Sequence, residues 1–316
     1  MLAAVIHGPS EAPRAEPFAD PTPQPGESIV RVLAAGLHPL VRGHAAGKHY
    51  TSTGQYPLIP GVDGVCELPD GRAAYFGWQR APYGTFAERA VVHPNMVLPL
   101  PDGADPKLIA GIVNPAMSGW LALRFPGRLE AGQNVAILGA TGAAGGLAVQ
   151  VARAFGAGRV VACGRNAAQL EKLNADAIYR LDSPEFRENL TRDFAAHGVD
   201  VVLDYVWGPP IEATLDALLA ARKELGTRRV RVVNIGEMAG ARASISPHVV
   251  RSMKVELHGS GFGSIAPNEI AVEIPKLVAA AARGELAIEL DPVPLARVAE
   301  AWAKPAEGGK RVVIVP

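Results

Sequence analysis

The second half of the chain alternates two textures of apolar and polar positions. Residues 135–138 (Val-Ala-Ile-Leu) form an unbroken apolar run of strand length. A glycine cluster cuts it, and from 147 to 155 the Ala/Leu/Val/Gln spacing becomes helical. Strand patterns recur at 159–163, 199–204, 229–235 and 254–260, and helical ones at 211–225 and near 269–282. Such alternation predicts an α/β fold, a parallel sheet covered by helices on both faces. Ligands of such sheets sit at the carboxyl ends of the strands where the strand order reverses, so 139–145, 234–236 and 259–263 are candidate site walls.

The first third reads as β-rich and heavily punctuated. Residues 2–6 and 28–33 alternate like strands, and the Pro/Ala-rich stretch near 12–25 predicts an irregular surface segment. Residues 34–39 lead into a polar, His-containing loop or short helix that reaches Tyr50, and further turns surround 60–65, 72–76 and 84–92. A helix is expected over 106–122, bridging to the central strand. The tail at 310–315 is again a strand, expected to return to the N-terminal β region and make it discontinuous.

Length and charge narrow the partners. A chain of 316 residues forms one large or two ordinary domains. Its 31 basic and 31 acidic residues cancel, so no electrostatic footprint points to nucleic acid or an anionic membrane. Two cysteines, Cys66 and Cys163, make neither a disulfide framework nor a Cys-based zinc site. The opening residues are too quickly polar for a signal peptide, and the expectation is a cytoplasmic protein.

The glycine cluster carries the chemistry. Gly139 lets the chain turn sharply out of the strand, Gly142 bares the backbone where a pyrophosphate approaches, and Gly145 lets the helix pack on the strand. With Ala140, Thr141, Ala143 and Ala144 they form a turn whose helix aims unpaired N–H groups and a positive dipole end at phosphates. The bland alternatives are a tight helix-packing turn or a membrane span, and the glycines with Thr141 and Gln150 interrupt the latter. An NAD site places an acid about 20 residues past the motif. Here the second strand ends in Gly164-Arg165-Asn166. A carboxylate would repel a 2′-phosphate whereas a guanidinium pairs with it, so the expected cofactor is NADPH. The alternative is that Arg165 is a solvated arginine at a helix start.

In this order the pieces resemble the medium-chain dehydrogenase/reductase superfamily, and within it the zinc-free quinone oxidoreductase branch. Leu37-His38-Pro39 stands where that branch has Leu-Asn-Pro. Pro60-Gly61-Val62-Asp63-Gly64 is similar to its Pro-Gly-x-Asp/Glu-Gly turn, and Gly84-Thr85-Phe86-Ala87-Glu88 to its Gly-x-x-Ala-Glu strand. The glycine turn, Asp200 and Asp204, Asn234-Ile235-Gly236, Gly259-Ser260 and Gly309-Lys310 complete the set. The resemblance implies a discontinuous GroES-like β domain (1–112 and 285–316) and a Rossmann doubly wound parallel-sheet domain (113–284), with NADPH between them. It places His38, Arg42, His49, Tyr50 and Ser118 near the nicotinamide end, and Asn234, Gly236, Gly259 and Ser260 along the cofactor. The zinc branch has a catalytic Cys where His38 stands, a His where Val62 stands, and a four-cysteine lobe, all missing here. The loop between Cys66 and Phe76 is shortened, Val41 replaces a common Asp, and Leu181 stands where relatives place a Tyr, which leaves Arg165 and Arg180 for the 2′-phosphate.

A reductase of this kind asks little of its side chains, because the cofactor brings the hydride and the fold aligns it. Charge building on the substrate oxygen calls for a donor, and then a proton. Tyr50 and His49 are the candidate donors; the alternative is that both are ordinary loop residues. His38, His44, His49 and Asp63 match no zinc spacing, and Asp63 is expected to bond local backbone N–H groups. Residues 255–257 read as a sheet edge whose pairing with a second copy would give a homodimer. The leading function is reduction of a small electrophile, a quinone or α,β-unsaturated carbonyl compound. An enoyl-thioester reductase and a non-catalytic NADP(H)-binding sensor or RNA binder stay open.

Overall fold

A computed structural model describes residues 1–9, 11–49, 52–77, 79–261, 263–304 and 310–316. The chain divides into two compact units, Met1–Pro115 with Pro275–Pro316, and Ala116–Ile274. In the first come β1 (Leu2–Val5), β2 (Arg14–Pro17), β3 (Ser28–Leu37), α1 (Pro39–Ala45), β4 (Asp63–Glu67), β5 (Ala73–Gly77), β6 (Arg89–Val92) and β7 (Val97–Pro99). Helix α2 (Pro106–Arg124) runs on into the second unit. That unit holds β8 (Asn134–Leu138), α3 (Ala143–Ala154), β9 (Arg159–Gly164), α4 (Ala167–Leu170), β10 (Ala177–Arg180), α5 (Phe186–His197), β11 (Val201–Asp204), α6 (Pro209–Ala220), α7 (Arg222–Leu225), β12 (Arg229–Asn234), α8 (Pro247–Ser252) and β13 (Lys254–Gly259). Helix α9 (Pro267–Ala282) leads back to β14 (Glu289–Pro294), α10 (Val298–Ala303) and β15 (Lys310–Val315).

The second unit is the parallel sheet that the alternation predicts, in the order β10-β9-β8-β11-β12-β13. The order reverses between β8 and β11, the doubly wound arrangement. Central strands covered on both faces need apolar residues at every position, and Val135 to Leu138 and all of β11 are buried. Leu138, Cys163, Leu190, Phe194, Val202, Leu215 and Leu218 form one side of the core.

The first unit builds a mixed sheet, β14-β15-β3-β4-β5-β7 with β6 on β3. The tail strand β15 pairs antiparallel with β3, Val312 opposite Leu37, so the two ends of the sequence share one sheet. Phe86, Val41, Ile59, Val298 and Ile314 fill its main core.

Four elements depart from expectation. The 12–25 stretch is not irregular throughout: Arg14–Pro17 pairs with β1. It has no apolar alternation to betray it, since its residues are exposed or half-buried and β1 supplies the pairing edge. The helix expected over 211–225 breaks at Ala221 into α6 and α7. Strands β10 and β14 were not visible, because both are edge strands whose side chains are mostly exposed or half-exposed. Residues 68–72 are a tight hairpin loop between β4 and β5, with Leu68 N–H on the Arg72 carbonyl.

Candidate functional site

The turn after β8 is held by backbone. Gly139 adopts φ +90, a conformation that side chains rarely take, and a Cβ there would press on Tyr205 and Val206 at 3.1 Å. Its N–H and that of Ala140 both donate to the Cys163 carbonyl at 2.9 Å, which ties the turn to β9. Gly145 is more tightly enclosed: a Cβ would lie 2.2 Å from the Gly139 carbonyl oxygen. Gly142 is the N-cap of α3 and offers no side-chain acceptor. The first N–H groups of the helix, at Ala143 and Ala144, therefore have no partner within the helix and carry its positive dipole end. Thr141 packs on Gly164, where a Cβ would come within 2.3 Å of its methyl. A cradle of bare main chain closed by glycines fits the diphosphate of a dinucleotide.

The end of β9 carries the arginine expected for the 2′-phosphate. Arg165 is exposed and has no hydrogen-bond or ion-pair partner among the described residues. Arg180 is already engaged, giving Nε and Nη2 to Asp182 at 3.0 and 2.7 Å. That bond, with Arg165 adding a smaller attraction, holds the Asp182 carboxyl below the usual range. Asn166 caps α4, its Oδ1 accepting the Gln169 N–H at 3.2 Å.

The remaining expected residues of this unit meet around Tyr205, which sequence reasoning missed. Its hydroxyl is 3.1 Å from Ser118 Oγ, its side chain backs Gly139, and its carbonyl backs Gly236, where a Cβ would lie 2.7 Å away. Burial pushes its pKa up, against the hydrogen bond with Ser118. One residue earlier, Asp204 is sealed from solvent. Its Oδ1 accepts the N–H groups of Val206 and Trp207 at 2.9 Å, and its Oδ2 accepts Asn234 Nδ2 at 3.3 Å. Burial raises its pKa and these donors restrain the rise. Asn234 Nδ2 also donates to the Gly236 carbonyl at 2.8 Å, and the Asn234 carbonyl receives the Ser260 N–H, just past Gly259, at 2.8 Å. The signal for Tyr205 was its place, next to the end of the strand at which the sheet order reverses.

The first unit holds a second polar cluster. His38 is the N-cap of α1, yet its ring makes no cap. Nε2 lies 3.0 Å from Asp63 Oδ1, with both side chains buried. Tyr75 donates its hydroxyl to Asp63 Oδ2 at 2.6 Å, and burial, then the Asp63 charge and this bond, push its pKa well up. Asp63 therefore does not bond local N–H groups as expected. It opens strand β4, where its carbonyl accepts the Thr85 hydroxyl at 2.9 Å and its carboxylate faces side-chain donors. Arg311 is buried beside them and gives Nη1 to the Leu37 carbonyl at 3.1 Å. Burial lowers its pKa to about 10 while the Asp63 charge opposes the fall.

Two neighbours are placed differently. Arg42 donates Nη1 to the Trp302 carbonyl at 2.6 Å and Nη2 to that of Lys304 at 3.2 Å, so it caps the end of α10. His49 faces His44 with ring centroids 6.4 Å apart, and burial, then His44, lower its pKa. Tyr50, Phe262 and Gly309 lie outside the described residues. Among the described residues no three His, Cys, Asp or Glu side chains gather to hold a metal ion, and no helix is long and apolar enough to cross a membrane.

No family model matches the chain. It is 29% identical to the probable NADPH-dependent quinone reductase tdiC of Emericella nidulans, over 94% of each chain. It is 24% identical to an acryloyl-coenzyme A reductase of Sulfurisphaera tokodaii, over 82% of this chain and 85% of that one. The quinone oxidoreductase of Thermus thermophilus, solved alone and with NADPH, superposes with a TM-score of 0.80 at 26% identity, covering all of both chains.

Proposed function

We propose that this chain, whose homologues and structural neighbours are quinone oxidoreductases of the medium-chain dehydrogenase/reductase superfamily, is an NADPH-dependent, zinc-independent reductase of quinones or α,β-unsaturated carbonyl compounds. One observation carries the cofactor: a glycine-closed cradle at 139–145 whose neighbouring strand ends in an uncommitted guanidinium, Arg165, with no carboxylate in its place. Bound NADPH supplies the hydride. The N–H groups of Ala143 and Ala144 hold its diphosphate, and Arg165 pairs with the 2′-phosphate. Asp204 and Asn234 stiffen the loops that follow β11 and β12, which a ligand at the carboxyl ends of these strands would touch. The candidate donors for charge that reaches the substrate oxygen are His49 and Tyr50.

A thioester substrate is the second reading, favoured by the acryloyl-coenzyme A reductase among the relatives. Loss of reduced-nicotinamide absorbance with a benzoquinone, an enone and crotonyl-coenzyme A offered separately decides between them. The cofactor reading is tested by titrating NADPH and NADH into wild type and Arg165→Ala. The expected loss is about 1.5–3 kcal/mol for NADPH, roughly 10- to 150-fold, with little change for NADH. Equal losses for both would remove Arg165 from the 2′-phosphate.

A further inference from the structure

Arg165 does not stand alone at its strand end. Strands β9 and β10 run parallel, and Arg180, the last residue of β10, lies opposite Gly164, the last residue of β9. Neighbouring strands are about 4.8 Å apart, so Arg165 and Arg180 leave the sheet at adjacent points. The Leu181 N–H donates to the Gly164 carbonyl at 3.0 Å, which carries the pairing into the turn that follows. The same strand end meets the glycine turn, with Thr141 against Gly164 and the Cys163 carbonyl on the N–H groups of Gly139 and Ala140. All of these residues belong to the second unit and lie at the carboxyl ends of its strands, where ligands of such sheets sit.

Asp182 answers to both guanidinium groups. It takes Nε of Arg180 on Oδ1 and Nη2 on Oδ2, and the charge of Arg165 adds a weaker attraction. The paired donors that Arg180 turns to this carboxylate are the ones a phosphate would use. Carboxylate and phosphate therefore compete for one edge of one side chain. The carboxylate is the weaker competitor. Both side chains of the pair are about half exposed, 54% for Arg180 and 45% for Asp182, and such a surface pair contributes little. A phosphate monoester brings roughly 1.5 to 2 negative charges and three acceptor oxygens.

We infer that the 2′-phosphate of the cofactor takes Arg180 over from Asp182, so that Arg165 and Arg180 clamp it together and Asp182 tunes the preference for NADPH over NADH. This rests on the cofactor reading above. With no phosphate bound, Asp182 balances the charge of Arg180 and spares two adjacent strand ends a pair of unmatched cations. NADH leaves the Arg180–Asp182 pair intact. NADPH must open it, and a bare carboxylate then stays close to the bound phosphate. Asp182 thus narrows the margin by which the two arginines favour NADPH.

Titration of the full chain with NADPH, NADH, 2′,5′-ADP and ADP tests it, because only the first and third carry the 2′-phosphate. Arg180→Ala should weaken NADPH and 2′,5′-ADP about 3- to 30-fold, the worth of a charge-assisted bond less that of the pair it gives up. NADH and ADP should hardly respond. Asp182→Asn should tighten NADPH and 2′,5′-ADP about 2- to 5-fold, the upper span of a surface ion pair, and leave NADH where it is. In the Arg180→Ala background the same Asp182→Asn change should lose most of that gain, since no guanidinium is left to release. Equal gains in both backgrounds would mean that Asp182 merely repels the phosphate, and would overturn the exchange. An Arg180→Ala chain that weakens NADPH and NADH alike, or leaves both unchanged, overturns it too, as does an Asp182→Asn chain that binds NADPH no more tightly than wild type. In each of these cases a selective loss of NADPH in Arg165→Ala keeps the cofactor reading standing. A wild-type chain that binds neither NADPH nor 2′,5′-ADP overturns both.

Discussion

The turn at 139–145 and the cluster around Asp63 solve opposite problems. The turn is built from missing side chains. Gly139 and Gly145 let backbone approach backbone, and nothing polar on a side chain is needed to hold it. The cluster is built from polar side chains that must all be present, because a buried carboxylate stripped of a donor costs its desolvation. Adding one methyl breaks the first, whereas removing one oxygen or nitrogen breaks the second. Seven consecutive residues make the turn. His38, Asp63, Tyr75 and Arg311 come from both ends of the sequence, brought together because β15 pairs with β3, β3 with β4, and β4 with β5.

The largest effect is expected at Gly145. A methyl there would lie 2.2 Å from the Gly139 oxygen and 2.8 Å from the Ala140 Cα, and both are backbone. Gly145→Ala should therefore cost about 3 kcal/mol or more, at the upper end for overpacking. At Gly142 a Cβ meets only the Gly139 oxygen at 3.5 Å and φ is −78. Gly142→Ala should stay within about 1 kcal/mol of wild type, the scale of an N-cap change. Urea unfolding followed in both variants decides it. A stable Gly145→Ala would mean that the turn is not closed as tightly as the distances say. If Gly142→Ala is stable yet binds NADPH poorly, the glycine serves the ligand and not the fold.

Each unit carries one buried thiol, which lets the two regions be watched separately. Burial pushes Cys66 up to about 12 and Cys163 upward as well. Neither should react with a disulfide reagent at neutral pH until its strand opens. The Cys163 carbonyl anchors the glycine turn, while Cys66 lies in β4 beyond Asp63. NADPH at about 100 times its Kd should slow labelling of Cys163 roughly 100-fold, the linkage expected of a ligand that binds only the closed form. Cys66 should be protected less. Equal protection would mean that the two units open together, and no protection of Cys163 would take the cofactor away from the turn.

This contrast also explains which features are legible in the sequence. The glycine turn and the parallel sheet were legible because their signals are local. An apolar run, a glycine cluster and the next strand end lie within 32 residues, from Val135 to Asn166. The discontinuous sheet was legible because 310–315 alternates as a strand in need of a partner. Asp63 was misread because its neighbours in sequence, Gly61 and Gly64, suggest a turn. Its true partners, His38 and Tyr75, depend on a register that only the folded sheet sets. Tyr205 was overlooked for the same reason, since Ser118 lies 87 positions away. Arg42 looked available for a ligand because nothing in sequence shows that the end of α10 claims it.

The smallest expected effects come from two tyrosines that share a role and differ in their partners. Tyr75 gives its hydroxyl to a carboxylate, and Tyr205 shares one with the neutral Ser118. Hydrogen bonds to charged groups contribute about 1.5–3 kcal/mol and those between neutral groups about 0.5–1.5 kcal/mol. At neutral pH Tyr75→Phe should therefore cost more than Tyr205→Phe, and equal costs would mean that Asp63 finds another donor. Alkaline pH brings a second readout. Both hydroxyls have pKa values raised in the fold, so each stays protonated after the unfolded chain has begun to ionise. Their contribution is whole below the ordinary tyrosine pKa, about 10, and is lost as the pH climbs above it. Each Phe variant should flatten the decline of stability above that point, by up to about 1.4 kcal/mol per pH unit for the one proton removed. A Tyr75→Phe protein that declines as steeply as wild type would show that Tyr75 ionises freely in the fold. Asp63 could then lose its second donor.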